Sequence, residues 1–379
     1  MPSVYLADFP EPDRTEGAPH PRETQTLIGH HAAQAEFLAN YTADRQHHAW
    51  LISGSRGIGK ATLAWKIARF LLATPDRDDG MFAAPEPTSL DISADHPVSR
   101  RIVALSEPRV YLLRRGLTDR ENAVAQNILV PEVRKMKDYF NLSVADGGRR
   151  VAIIDTADDL NPNAANALLK LLEEPPAGTT FLLLSNQPAR LLPTIRSRCR
   201  ELRLNPLSPA DLSAALTQAG GTVAPEDSIP LTELAGGSVG EAFRLTNLDG
   251  LKLYATLIRL LSTLPRLDRP MAQMLAEAGA GRGAEPQFDL IVTLIDQFLA
   301  RLARAGTLHA LPPEAAKGEA ALIERLAATP ETARLWADLA QTLGTRARRG
   351  KAVNLDPAAL LMDMVLKIDE TAGMLAQRV

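Results

Sequence analysis

The amino-acid sequence predicts an α/β fold, in which a doubly wound parallel sheet is followed by helical regions. Three observations predict it. In the first half of the chain, short apolar runs alternate with amphipathic segments. A glycine-rich loop, residues 54–60, stands between one apolar run and a helical segment. After residue 206 the strand-like runs disappear, and nearly every periodic segment has helical spacing.

The predicted strands are short apolar runs bounded by turn signals, which is typical of parallel strands covered on both faces. The candidates are residues 49–52, 151–154, 181–184 and 202–204. Residues 61–72 have the spacing of an amphipathic helix. A second helix begins at Pro162, where Asn161 supplies the N-cap, and ends at Pro175-Pro176. Strands separated by helices in this way predict a parallel sheet.

The length of the chain predicts more than one domain, because 379 residues exceed what a single hydrophobic core usually supports. We predict a phosphate-loop domain over residues 1–206, a small helical domain over 207–250 and a helical bundle over 251–379. Within the first domain, residues 1–22 are expected to be flexible. The proline-containing, acidic residues 76–127 are expected to form an irregular insertion.

Composition excludes several classes of protein. The formal net charge of −3 provides no global field for wrapping nucleic acid, so any DNA contact must come from a local patch or from partner subunits. One cysteine, Cys199, excludes an internal disulfide framework and a multi-cysteine zinc site. The sequence shows neither a signal peptide nor a membrane span. We therefore expect a cytoplasmic protein with no membrane partner.

Residues 54–60, Gly-Ser-Arg-Gly-Ile-Gly-Lys, reproduce the glycine and lysine spacing of a phosphate-binding loop. Glycines let backbone N–H groups point at an anion, and the N-terminus of the following helix adds its dipole. Gly54, Gly57, Gly59 and Lys60 are therefore predicted to bind nucleotide. The alternative is a glycine-rich turn with a chance lysine, which the flanking strand and helix patterns disfavour.

Positions that hold magnesium and activate water in a hydrolysing site are altered. Ala61 stands where the loop needs a hydroxyl group, and Thr62 comes one residue later on another face of the helix. Asp155 ends the second strand, where an acidic residue holds the metal, but it is followed by Thr156, which cannot act as a base. We assign Thr62 and Asp155 to a degenerate site. The sequence leaves open whether ATP or ADP binds there and predicts that hydrolysis is lost.

Two further acidic residues, Asp158 and Asp159, are interpreted as the N-terminal residues of a helix, where negative charge is favourable. Adjacent histidines such as His47 and His48 make poor metal ligands, because neighbouring side chains diverge on a helix and oppose one another on a strand. No metal site is predicted.

Ser197-Arg198-Cys199 lies just beyond the third predicted strand. An arginine near a subunit surface can stabilise the charge that develops on a neighbour's γ-phosphate. A surface salt bridge is the plainer interpretation of Arg198, and position alone does not decide between the two. A lone cysteine is more often a small buried apolar residue than a nucleophile.

Together these motifs resemble the clamp-loader branch of the AAA+ proteins. The most specific part is the leucine-rich string from Ala164 to Pro176. The resemblance covers roughly residues 26–204 by motif, while the helical remainder agrees in layout only. It implies an AAA+ domain with a phosphate loop, a helical lid over residues 207–250 and a C-terminal helical collar.

Three departures from the hydrolysing members of that family occur together. Besides Ala61 and Thr156, the segment Gly237-Ser238-Val239-Gly240 resembles the second sensor, with glycine in place of its nucleotide-sensing arginine. The resemblance is therefore to the delta-prime class, whose arginine, here Arg198, completes a neighbour's site in trans. The zinc-binding cysteines common in the family are missing between the phosphate loop and the second strand.

The resemblance implies partners as well. They are gamma/tau motor subunits and a delta subunit in a hetero-pentamer, with the sliding clamp and primed DNA engaged through the complex. Two alternatives stay open at this point. Besides a non-hydrolysing subunit that donates Arg198, the chain could be an ATP-hydrolysing subunit of the gamma/tau type, or a purely structural scaffold in which Arg198 is dispensable.

Overall fold

The computed structural model describes residues 11–43, 47–75, 86–117, 124–142, 148–327 and 329–377. Contacts divide the chain into two compact units. The first comprises the described residues up to Leu207, with Ala214–Gly221 and Ser238–Gly240. The second comprises Ser208–Ser213, Thr222–Gly237 and the described residues from Glu241 onward. A separate lid over residues 207–250 stays a prediction.

The first unit is built on a five-stranded parallel sheet in the order β2-β3-β4-β1-β5. Its strands are β1 (Ala49–Ser53), β2 (Val110–Arg114), β3 (Arg150–Asp155), β4 (Thr179–Ser185) and β5 (Arg200–Arg203). The order places β1, which leads into the phosphate loop, between β4 and β5. Side chains of successive strand residues alternate between the two faces, so each face carries its own apolar core.

Helices cover both faces of the sheet. One core joins the sheet to α1 (His31–Thr42), α2 (Lys60–Ala73) and α3 (Pro97–Val103). The other joins it to α4 (Val130–Leu142), α5 (Pro162–Glu173) and α6 (Pro193–Arg196). Asn161 caps α5 by accepting a hydrogen bond from the Ala164 amide at 2.8 Å, as its sequence predicts. The predicted α/β class with a doubly wound parallel sheet is confirmed.

The predicted irregular insertion is wrong in part, because residues 97–103 form helix α3 and residues 110–114 form strand β2, whereas residues 86–96 are irregular as predicted. Helix α3 has only seven residues, too few for a clear period. Strand β2 is at the edge of the sheet, and four of its five residues are only half-buried. Its apolar run is short and stands among arginines. Residues 76–85 and 118–123 lie outside the described residues.

Residues 11–24 are held against the first unit, in contrast to the flexibility expected of residues 1–22. His20 is fully buried and lies 3.0 Å from the Asp13 carboxylate. The buried Arg69 of α2 donates to the carbonyls of Arg22 at 3.0 Å and Thr24 at 2.7 Å. Arg69 is 47 and 45 residues away from these two partners in sequence, so no local sequence pattern predicts the contacts. Residues 1–10 lie outside the described part of the chain.

The described residues of the second unit form helices joined by turns and loops, with no strand among them. Its long helix α12 packs along α14, while α15 packs against α11 and α14. The helices after β5 are α7 (Pro209–Gln218), α8 (Ser228–Ala235), α9 (Val239–Asn247), α10 (Gly250–Leu261), α11 (Arg269–Ala278), α12 (Glu285–Leu308), α13 (Glu319–Leu326), α14 (Pro330–Ala352) and α15 (Pro357–Ala376). Within the described ranges, no helix has the length and apolar character needed to cross a membrane.

Candidate functional site

The phosphate loop connects the carboxyl end of β1 to the first residue of α2. Gly57 and Gly59 adopt left-handed backbone angles, with φ of 73° and 112°. Residues with a side chain rarely take such angles, so these glycines are needed for the turn. Gly54, Gly57, Gly59 and Lys60 are thus brought together, as the sequence predicted. Thr62 lies on α2, one residue beyond the position that would face a metal ion.

Lys60 is folded back onto its own loop. Its Nζ donates to the carbonyl oxygens of Gly54 at 2.9 Å and Ser55 at 2.7 Å, and to Asn186 Oδ1 at 2.7 Å. An ammonium group has three protons to donate, so these bonds use all of its donors. Burial lowers the pKa of Lys60 to about 8, while Asp155 and Asp158 act in the opposite direction. The lysine is therefore committed to the loop itself.

Asp155 ends β3 at the same edge of the sheet. Burial, and next the negative charge of Asp13, raise its pKa to about 7, against the opposing effect of Lys60. Asp13 in turn pairs with Arg114, the residue that is in register with Asp155 on β2. A second carboxylate thus stands beside the one that the sequence assigned to metal binding, and the two repel each other.

Asp158 has a further role besides the one predicted. It belongs to a short 3-10 helix, Ala157–Asp159, and joins the end of β3 to the end of β4. Its carboxylate accepts hydrogen bonds from Ser185 Oγ at 2.7 Å and from the Asn186 amide at 2.5 Å. Asp158 and Asp159 lie in the first turn of this helix, as the sequence predicted, and the Asp158 carboxylate also reaches partners that lie 27 and 28 residues away in sequence. Asp159 pairs instead with Arg115 at 3.2 Å.

The segment that resembles a second sensor, Ser238–Gly240, touches the phosphate loop directly. Ser238 Oγ donates to the Arg56 carbonyl at 2.8 Å, and the Gly240 amide donates to the Gly57 carbonyl at 3.0 Å. A Cβ atom on Gly240 would lie only 2.9 Å from the Gly57 Cα. In this arrangement the glycine is required, since any side chain at position 240 would displace the loop.

Arg198 lies apart from these residues, between α6 and β5. Its guanidinium donates through Nη1 to the Thr194 carbonyl at 2.9 Å and pairs through Nη2 with Glu173 Oε1 at 2.7 Å. The side chain stays 35% exposed. Arg198 therefore forms the surface ion pair that the plainer sequence interpretation predicted. Its side chain is also partly exposed, which the interpretation as a group acting on a neighbour requires.

Arg198 and the phosphate loop lie at opposite ends of the parallel strands. In the parallel register Arg200 of β5 pairs with Trp50 of β1, and Arg203 pairs with Ser53. Arg198 therefore precedes the amino end of β5, whereas the loop follows the carboxyl end of β1. The length of the four-residue strand β5 alone separates the two ends of the strands by about 10 Å. The structure brings the loop residues and Asp155 together and keeps Arg198 away from them.

Comparisons with known proteins agree with these motifs. Residues 29–208 match the protein family described as "DNA polymerase III, delta subunit". The resemblance to clamp-loader subunits of DNA polymerase III is thereby confirmed. The delta' subunit of DNA polymerase III from Pseudomonas aeruginosa is 34% identical over 206 residues, which are 54% of this chain and 57% of that protein.

Other relatives of the clamp-loader family carry different names. A DNA polymerase III gamma subunit from Buchnera aphidicola is 29% identical over 231 residues, which are 59% of this chain and 58% of that protein. The chain thus spans less than two thirds of the length of either relative. A solved gamma subunit-related protein from Thermotoga maritima is 17% identical, with 89% of this chain and 99% of that chain covered at a TM-score of 0.39. At this TM-score the superposition adds nothing to the fold described above.

The phosphate-loop residues of this chain do not fit a magnesium nucleotide held for hydrolysis. Lys60 has its three donors occupied, and Ala61 offers no hydroxyl group to a metal ion. Asp155 is buried close to the Asp13 carboxylate, and both burial and this neighbouring charge raise its pKa. We therefore derive no catalytic step at this loop.

Sequence patterns did not single out Asn186, Asp13 or Glu173. Asn186 follows the apolar run of β4 directly, and a polar residue at a carboxyl end of a parallel strand is a signal that could have found it. Asp13 and Glu173 reach their partners only through the tertiary fold. The site is thus partly local and partly the product of long-range packing.

Proposed function

We propose that this chain is a non-hydrolysing, cytoplasmic subunit of a clamp loader, which donates Arg198 to the ATP site of an adjacent motor subunit. ATP turnover in that neighbour then drives the loading of a sliding clamp onto primed DNA. The partners proposed are gamma/tau motor subunits and a delta subunit in a hetero-pentamer. The family relationship supports the setting, and the arrangement of the site supports the division of labour.

The observation that carries the proposal is the placement of Arg198 at the amino ends of the strands, opposite to the carboxyl ends that carry the chain's own phosphate loop. An arginine at the amino ends lies away from the nucleotide that its own loop would hold. It is available to a neighbouring subunit, because about a third of the side chain is exposed. This is the arrangement expected of a group that acts in trans.

The chemistry follows from the guanidinium group. During phosphoryl transfer, negative charge is spread over the γ-phosphate oxygens, and an arginine supplied by a neighbour stabilises it. Arginine suits this role because its planar fork stays charged at physiological pH and presents several donors in a fixed geometry. For this role the chain has to supply only one positively charged side chain, and it needs no bound metal ion of its own.

The chain's own loop supports the same proposal. Lys60 bonds to its own loop, and Gly240 packs where a motor subunit would carry an arginine. Ala61 and Thr156 lack the groups that bind a metal ion and activate water. We propose that any ATP or ADP bound at Gly54, Gly57, Gly59 and Lys60 stays unhydrolysed.

The test is Arg198→Ala in a loader reconstituted with its motor and delta subunits. An arginine finger supplies about 10³-fold or more to the site that it completes, so we expect clamp loading and DNA-stimulated ATPase to fall by at least about tenfold. The matched control is Arg196→Ala, which removes an exposed arginine two residues earlier. Unchanged loading and ATPase with Arg198→Ala would reject the arginine-finger role and favour the scaffold.

A hydrolysing function is the second candidate, because a gamma subunit is among the relatives. Purified chain without partners separates the two. A motor subunit turns over ATP by itself or with DNA, whereas the proposed subunit does not. Turnover by the isolated chain that Lys60→Ala abolishes would overturn the proposal.

A further inference from the structure

Glu173 is the last residue of α5, and its carboxylate holds the Arg198 guanidinium. Nη2 of Arg198 lies 2.7 Å from Glu173 Oε1, while Nη1 donates to the Thr194 carbonyl at 2.9 Å. Two terminal nitrogens of a planar group are therefore fixed from two different elements, α5 and α6. Two such attachments restrict both the position and the plane of the guanidinium.

The end of α5 that carries Glu173 is itself firmly placed. Leu171 and Leu172 are 5% and 1% exposed in the core beneath the sheet. In addition, His48 Nε2 lies 2.9 Å from the Leu172 carbonyl oxygen, which links the start of β1 to the last turn of α5. Glu173 thus projects from a fixed support, and the histidine that was rejected as a metal ligand has a structural partner.

A long side chain needs such a support if it is to act on a partner. A free arginine samples many rotamers, and the free-energy cost of ordering it must come from the energy of the contact that it makes. Groups that stabilise a transition state act best when they are already oriented. The Glu173 carboxylate and the Thr194 carbonyl each hold one terminal nitrogen of Arg198, while 35% of the side chain stays exposed, so the arginine is oriented in advance.

We infer that Glu173 is a positioning residue that orients Arg198 for the neighbouring subunit's ATP site. This inference rests on the proposed function, since it has no role if Arg198 does not act in trans. Glu173 touches neither nucleotide nor reacting atoms, so its whole effect passes through Arg198. It acts on the turnover step, and the affinity of the motor subunit for ATP does not depend on it.

The experiment uses the reconstituted loader and four variants of this chain: Glu173→Ala, Glu173→Gln, Arg198→Ala and the Glu173→Ala/Arg198→Ala double variant. Glu174→Ala is the matched control, because it removes the adjacent exposed carboxylate. Exposed ion pairs are worth little, so we expect Glu173→Ala to lower kcat of the DNA-stimulated ATPase by about two- to fivefold, with KM for ATP unchanged. Glu173→Gln keeps an acceptor oxygen and should recover part of the loss.

The double variant separates positioning from a structural role. If Glu173 acts only through Arg198, removing it should cost nothing further once Arg198 is alanine. A second loss on top of the Arg198→Ala loss, or the same loss with Glu174→Ala, would overturn the inference. So would an ATPase that Glu173→Ala leaves unchanged or makes faster while Arg198→Ala lowers it. If Arg198→Ala itself has no effect, the proposed function fails, and the inference fails with it.

Discussion

Lys60 and Asp155 show how burial changes two residues that a hydrolysing site needs in their charged forms. Burial lowers the pKa of Lys60 to about 8 and raises the pKa of Asp155 to about 7, so both groups move toward neutrality. Each would be stabilised as an ion by the charge of the other, but desolvation is the larger effect in both. Burial thus opposes the charged forms of both residues of the motif.

The first prediction concerns Asp155 and pH. Its folded-state pKa of about 7 lies above the ordinary value of 3.8, so the folded state holds this proton where the unfolded state has lost it. The group's contribution to stability is therefore present below about pH 4 and is lost as the pH rises to about 7. We expect Asp155→Asn to be more stable than the wild type at pH 7.5, by about 1 kcal/mol or more, and equal to it near pH 4.

Urea unfolding of both proteins at several pH values, without nucleotide or magnesium, measures this difference. Asp138→Asn, at an exposed position of α4, serves as the control. The prediction fails if the advantage of Asp155→Asn is constant across the range or grows as the pH falls. Either result would mean that the pKa of Asp155 is not raised in the folded state.

The second prediction concerns Cys199. Burial raises the pKa of this thiol to about 12, far above the usual value, so the reactive thiolate is scarce at neutral pH. We expect the folded chain to react with a maleimide or a disulfide reagent at pH 8 at least about tenfold more slowly than the urea-unfolded chain. Fast labelling of the folded protein would contradict the interpretation of Cys199 as a small buried apolar residue.

Among the elements, α5 connects the best sequence signal to the placement of the arginine. Its leucines do not contribute equally, because Leu168 is fully buried in the core beneath the sheet whereas Leu169 is only half-buried. The helix therefore presents one face to β3 and β4 while its end carries Glu173. The leucine-rich string both anchors the helix and fixes the residue that holds Arg198.

The third prediction follows from this difference. Leu168→Ala should lower the free energy of unfolding by about 2–5 kcal/mol, because it removes buried methyl groups and leaves a cavity. Leu169→Ala is the matched control and should cost clearly less, since its side chain already meets solvent. Chemical denaturation of the two variants compares them directly. Equal costs would show that the core face of α5 has been placed incorrectly.

The elements that could be predicted from sequence are those with a strong local pattern. The apolar runs of β1, β3 and β4, the loop at residues 54–60 and the capped start of α5 are all local features, and each was found. Strand β2 was missed because an edge strand with half-buried residues lacks a continuous apolar run. The partners of Asp158 and Arg198 were missed because a sequence contains no signal for contacts between distant segments.

At the scale of the whole molecule, the chain divides into two compact units. The second unit has a buried polar cluster around Glu319, which is 1% exposed. Its carboxylate accepts hydrogen bonds from the Tyr254 hydroxyl at 2.6 Å, Arg301 Nε at 2.7 Å and the Ala315 amide at 2.7 Å. Arg301 also pairs with Glu233 at 2.9 Å. All of these residues belong to the second unit, so the cluster links several of its helices to one another.

The fourth prediction is that damage to this cluster stays within one unit. Glu319→Ala leaves the Arg301 cation and the Tyr254 hydroxyl without their main buried partner, and breaking such a pair from one side costs about 3–5 kcal/mol. Glu324→Ala, at an exposed position of the same helix, should cost almost nothing.

Hydrogen exchange followed by mass spectrometry reports on each segment separately. We expect faster exchange in α10, α12 and α13 and unchanged protection in β1, β3 and β4, because the contacts that are lost all lie within the second unit. Equal loss of protection in the sheet would mean that the two units unfold as one, and that the stability of the phosphate-loop unit depends on the helical unit.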